Sequence, residues 1–125
     1  MKDCPCGTGF AYTDCCGLLI RGTSHADTVE DLMRSRYTAF VKGNWDYLKK
    51  TRHPNDRERK PDRYSDLQHK DILWTKLEIF DVNNGGVFDE EGDISFVAYY
   101  LENGAEKSLH ETSKFIKEKG RWYYS

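Results

Sequence analysis

Between residues 28 and 43 the apolar positions fall at helical spacing. Val29, Leu32, Met33, Tyr37 and Phe40 recur with mostly polar residues between them, and Gly43 ends the run. Thr28-Val29-Glu30-Asp31 has the form of a capping box, so the pattern predicts a helix opening at Thr28. Asn44 is placed to cap a second, shorter helix carrying Trp45, Tyr47 and Leu48, which must end before His53-Pro54. Residues 55–71 are mostly charged and alternate in sign. Pro61-Asp62 offers a start for one more short helix through Tyr64 and Leu67, but a solvated connection is the expectation there.

After residue 71 the pattern turns to strands. Ile72–Val82 is rich in β-formers and stops at the turn sequence Asn83-Asn84-Gly85-Gly86. Ile94–Leu101 is apolar on both parities, as a strand covered on both faces would be. Lys107–Lys117 follows a turn at Glu102-Asn103-Gly104, and Arg121–Ser125 follows a turn at Lys119-Gly120. Two to three helices followed by an antiparallel meander of about four strands predict an α+β domain. A curved sheet folded over its own helices would leave a cone-shaped hollow.

Composition narrows the function classes. The chain has 125 residues and a net charge of −2, so no global field draws in nucleic acid or an anionic membrane. Its apolar runs are too short to span a bilayer. It opens Met1-Lys2-Asp3 with no apolar stretch to direct secretion, and the expectation is a cytoplasmic protein. Aromatic residues make up 14%, enough both to fill a small core and to line a concave ligand site.

All four cysteines lie between residues 4 and 16, as Cys4-Pro5-Cys6 and Cys15-Cys16. Structural cysteines scatter through a core; a cluster this tight suits one tetrahedral metal site. A disulfide framework is the competing reading, with three pairings open to it. Against it, a vicinal Cys15-Cys16 bridge would be a strained ring, and Cys4-Cys6 is little better. Zinc accepts four thiolates and then has a closed shell, which makes it structural rather than catalytic. Free or redox-active thiols are the alternative. Gly7, Gly9 and Gly17 follow the ligand pairs, where the backbone is expected to turn sharply with φ > 0. The expected organisation is a zinc knuckle over residues 1–20, seated through Leu18-Leu19-Ile20 on a body over residues 21–125.

The cysteine spacing, with Gly7 and Gly17 behind its two pairs, resembles the SEC-C zinc motif, also found at the C-terminus of the SecA translocation ATPase. Leu32-Met33-Arg34-Ser35-Arg36-Tyr37-Thr38-Ala39-Phe40, Tyr47-Leu48 with His53-Pro54, and His110 to Phe115 with Gly120-Arg121-Trp122-Tyr123-Tyr124 resemble the YchJ family of SEC-C proteins. The resemblance covers nearly the whole chain. It implies a zinc knuckle on a domain of the nuclear-transport-factor-2-like fold, and it carries no established reaction. Two features depart from the family. Many such proteins bear a second motif at the C-terminus, whereas this sequence stops at Ser125. The loop Thr8-Gly9-Phe10-Ala11-Tyr12-Thr13-Asp14 also lacks the lysines common there, so nucleic-acid binding through the knuckle loses its electrostatic term. The loop offers Phe10 and Tyr12 for a protein partner, or for packing on the body, and packing is the expectation.

Candidate chemistry in the body centres on the hollow. Rotation at about 100° per residue puts Arg36 in the middle of the apolar helix face, with Arg34 on its flank. Strand alternation puts Glu111 and Ser113 on the same inward parity as Leu109 and Phe115. Arg36 and Glu111 are therefore expected to approach each other, as a buried ion pair or as the polar floor of a pocket. His53 is expected at the pocket mouth, and Trp74, Tyr99 and Trp122 among its walls. His110 points away from Glu111 as its strand neighbour, and His25 and His69 sit in polar segments. No nucleophile motif or phosphate-cradling glycine loop is present. The expected function is a non-catalytic zinc protein serving small-ligand binding or protein interaction, with a homodimer through the outer sheet face as a further expectation. The runner-up is a small pocket enzyme, isomerase- or hydrolase-like, with Glu111 or His53 as general base.

Overall fold

A computed structural model describes residues 3–56 and 72–125. Three helices come first: α1 (Cys16–Ile20), α2 (Val29–Lys42) and α3 (Trp45–Lys50). Four strands follow: β1 (Ile72–Asn84), β2 (Glu91–Glu102), β3 (Ala105–Glu118) and β4 (Arg121–Tyr124). They form one antiparallel sheet in the order β1-β2-β3-β4. The short helix considered at Pro61-Asp62 lies outside the described residues. None of the described helices is long and apolar enough to cross a membrane.

Local chemistry accounts for these boundaries. Thr28 Oγ1 accepts a hydrogen bond from the Asp31 amide at 3.1 Å, and Gly43 closes α2 at φ 72°. Asn44 makes no side-chain capping bond to α3, so its expected role is not performed. The turns between strands use left-handed pairs, Asn103-Gly104 and Lys119-Gly120, whose twist matches that of the flanking strands. Gly85 has a second constraint besides its φ of 78°. Its carbonyl accepts from the Val29 amide at 2.9 Å, and a Cβ there would stand 2.2 Å from Val29 Cγ2. The β1–β2 turn thus presses on the first residue of α2 and sets where the helix meets the sheet.

The core lies between one face of α2 and the sheet. Val29, Leu32, Met33 and Tyr37 meet Leu77, Ile94, Phe96, Ala98, Phe115, Trp122 and Tyr124 there. Thr51–His53 runs beside β4 and covers part of its edge: Tyr124 N donates to Thr51 O, and His53 N donates to Tyr124 O. β2 is central, and its expected burial on both faces holds at Val97, which is 1% exposed. Around Val97 on that outer face stand Glu78 and His110, its register partners.

Helix α2 is covered on a second side. Thr38 lies about 200° around the helix from Arg36, yet it is fully buried. What buries it is the cysteine segment.

Candidate metal centre

Residues 3–20 contain little regular structure of their own: a bridge between Asp3 and Ala11, a single 3₁₀ turn at Tyr12–Asp14, and the five residues of α1. The Cys4 amide donates to Phe10 O at 2.7 Å, which folds residues 4–10 into a tight loop. Gly7 and Gly9 hold φ of 88° and 89°, as the sequence predicts. Gly17 does not take a positive φ. It is helical and buried, and it must be glycine because a Cβ would stand 2.7 Å from Tyr12 O.

This loop brings the four thiols together. One sulfur from each of Cys4, Cys6, Cys15 and Cys16 lies within 4.8 Å of all the others. Cys6 Sγ and Cys15 Sγ are 3.6 Å apart. Sulfurs at about 2.3 Å around a tetrahedral ion stand about 3.8 Å apart, so small side-chain adjustments would bring the cluster to that geometry. Cys4, Cys6 and Cys16 are buried, and Cys15 is half-buried. Four thiols this close cannot all ionise unaided. Cys6 is held down to about 4, chiefly by its hydrogen bond with Cys16. That same bond, with burial, pushes Cys16 well above the ordinary thiol range, and burial pushes Cys15 upward. A bound cation is what would let all four carry charge together.

The groups that support the cluster are not among the candidates the sequence offers. Thr8 Oγ1 lies 3.5 Å from Cys6 Sγ and 3.3 Å from Cys15 Sγ, and Thr38 Oγ1 lies 3.7 Å from Cys4 Sγ. Arg34 donates from Nη1 to Cys6 O at 2.6 Å and from Nε to Glu30 at 3.0 Å, so a fixed guanidinium clamps the knuckle backbone. Lys42 Nζ sits 4.1 Å from the Tyr12 ring centroid. Arg34, Thr38 and Lys42 repeat every four residues along the outer face of α2. That spacing was the signal available, masked because all three residues are polar. Leu18, Leu19 and Ile20, expected as the seat, are half-buried, and Ile20 packs against the cysteines. Tyr12 packs as expected, whereas Phe10 is 66% exposed.

The body residues singled out in the sequence do not form one pocket. Trp74 is on edge strand β1, where it meets Tyr37, Phe40 and Tyr100. Only about 20 Å³ of apolar space is left beside those rings, which is room for a water and not for a substrate. Tyr99 is a correction. The alternation of β2 puts Phe96, Ala98 and Tyr100 inward and Tyr99 outward, beside Lys76 and Ser108, so it borders an outer-face hollow with Glu78 and Lys107 and not the helix–sheet layer. His53 lies at the opposite edge of the sheet from Trp74. It is buried, its Nδ1 accepts from the Asn55 amide, and its Nε2 donates to Glu118. With both nitrogens engaged, it is not placed at a pocket mouth as a base. Arg36 is 4% exposed, donates from Nη1 to Leu48 O at 2.8 Å and Thr51 Oγ1 at 2.7 Å, and stacks 4.6 Å from the Tyr124 centroid. Glu111 is half-buried across from Phe96, facing the same helix–sheet layer. Trp122 is buried, and its indole donates to Asp27 O at 3.1 Å.

Comparison with known proteins adds four findings. Residues 28–125 match the family model described as the YchJ middle NTF2-like domain. A UPF0225 protein of Streptomyces coelicolor is 42% identical over 98% of this chain and 91% of its own length. One of Geobacter sulfurreducens is 37% identical over 98% and 76%. A SEC-C motif containing protein from Rhodopseudomonas palustris superposes with a TM-score of 0.86 at 35% identity, covering 99% of this chain and 95% of that one.

Proposed function

The chain belongs to the family of the YchJ middle, nuclear-transport-factor-2-like domain, and on that premise we propose that it is a zinc-stapled binding module whose cysteine knuckle docks a protein partner. The convergence of four sulfurs within 4.8 Å carries the zinc reading. An all-thiolate set favours a soft or borderline ion, and zinc, with no geometric preference of its own, suits a tetrahedral closed site. Cys4, Cys6, Cys15 and Cys16 would hold it, and its role would be to fold a segment too short to bury a core of its own. Elemental analysis with thiol titration, on protein purified without chelators, is expected to give one zinc per chain and four protected thiols. Four reactive thiols and no metal would return the segment to a redox role.

The partner reading is supported by Phe10, a large ring left 66% exposed on an otherwise anchored loop. It borders a groove with Leu18 and Leu19 that is rimmed by Asp14, Asp27 and Asp31, with His25 and with Arg34, whose guanidinium is taken up by Glu30 and Cys6 O. Such a groove suits an apolar anchor flanked by basic residues. Phe10→Ala is expected to abolish capture of a partner on the immobilised protein while shifting the melting temperature by no more than a degree or two. Undiminished capture would move the interface elsewhere.

A further inference from the structure

A different cavity, of about 210 Å³, opens where the knuckle meets the body. It lies between the end of α1, the connection to α2, the last turn of α3 and the start of β4. Leu19, Leu32 and Trp122 give it an apolar wall, and His25, Lys50 and Arg121 stand around it. No carboxylate is among the described residues that line it. In a chain of net charge −2, Arg121 beside an apolar wall with no described carboxylate in the lining is a selective feature.

The arginine is positioned and is not matched to an acid. Arg121 Nη1 lies 3.2 Å from His25 Nδ1. A guanidinium only donates, so His25 Nδ1 is the acceptor of this contact. Glu118 is the carboxylate across the β3–β4 pair from Arg121, but it is turned to His53. No ion pair joins Arg121 to a described carboxylate. The wall is fixed too, because the Trp122 indole is tied to Asp27 O, which holds the ring's orientation.

We infer that this cavity binds a small organic carboxylate, with Arg121 taking the carboxylate and Trp122 and Leu32 covering an apolar body. The planar guanidinium fork matches a carboxylate in two parallel hydrogen bonds. The volume is below the range of about 300–1,000 Å³ usual for drug-sized ligands, which limits the occupant to a small acid. A bare inorganic anion would leave the apolar wall unused, and a neutral flat molecule would leave the Arg121 guanidinium unused. The site does not depend on Phe10 or on any protein partner.

The test is a titration of the zinc-loaded full chain, labelled with ¹⁵N and followed at the Trp122 indole N–H. Benzoate and butyrate are added in parallel with benzamide, butyramide and inorganic phosphate. The two acids are expected to give saturable shifts, and the amides and phosphate to bind at least tenfold more weakly. Arg121 is exposed, so Arg121→Gln is expected to keep the wild-type melting temperature and zinc content while weakening both acids at least tenfold. The proposal is overturned if neither acid saturates, if the amides match the acids, or if Arg121→Gln binds them as wild type does. Phosphate binding as tightly as the acids would also overturn it, since it would show a bare anion site.

Discussion

Cys16→Ser is expected to strip the chain of stoichiometric metal and release residues 3–20 from α2, while the sheet and the inner face of α2 stay folded. The knuckle has one bridge, one 3₁₀ turn and five helical residues, too little to pay back its ordering entropy. Structural zinc supplies about 10–16 kcal/mol in small zinc-finger peptides, which is more than the rest of this segment can offer. Cys16 is the informative position because it is 2% exposed, opens α1, and is hydrogen-bonded to Cys6 within the cluster. Hydrogen exchange should show residues 3–20 losing protection. Thr38, 0% exposed in the folded chain and in contact with Cys4, should become accessible along α2. The core under α2 draws its apolar contacts from the sheet and should keep its protection. Stoichiometric zinc in this variant would remove Cys16 from the ligand set. Loss of protection throughout the sheet would make the knuckle part of one cooperative core with the body.

How much of this was legible in the sequence depends on the kind of signal each residue carries. The α2 boundaries were readable because Thr28 and Gly43 act locally, through one cap bond and one left-handed backbone position. The strands were readable because β1, β2 and β3 each end at a glycine or asparagine turn. The second buried face of α2 was not, because Arg34, Thr38 and Lys42 look like a solvated stripe until a partner is laid across them. Gly17 was read by analogy with Gly7 and Gly9, but its constraint is steric and comes from Tyr12. The failure of the single hollow has a tertiary cause. His53 and Trp74 stand at opposite edges of a four-stranded sheet, a separation set by strand order. The cavity at the knuckle–body seam was hidden for the same reason, since His25 and Arg121 are 96 positions apart.

Arg36→Ala is expected to be the most destabilising substitution in the body, by about 3–5 kcal/mol, the range for breaking up a buried charged group's interactions. Three things are lost together. The Leu48 carbonyl, at the C-terminal end of α3 where helix carbonyls lack partners, loses a charged donor. Thr51 Oγ1, which donates to Tyr47 O, loses the Arg36 N–H it accepts. The Tyr124 ring loses the guanidinium stacked on it, worth about 2 kcal/mol where desolvated. Because Thr51 also accepts the Tyr124 amide through its carbonyl, loosening this end of α3 should carry into β4. At about 4–8 °C per kcal/mol for a domain of this size, melting should fall by more than about 12 °C. Arg36→Lys keeps a donor for α3 but not the planar stack, and should recover about half of the loss. Urea denaturation of the three proteins checks the order, and a loss below about 1 kcal/mol for Arg36→Ala would mean that the guanidinium does not anchor α3. The same series, crossed with Glu111→Gln, measures the coupling expected between two groups facing one layer. An interaction energy above about 0.5 kcal/mol would tie Glu111 to Arg36, and additivity would leave Arg36 acting through α3 and Tyr124 alone.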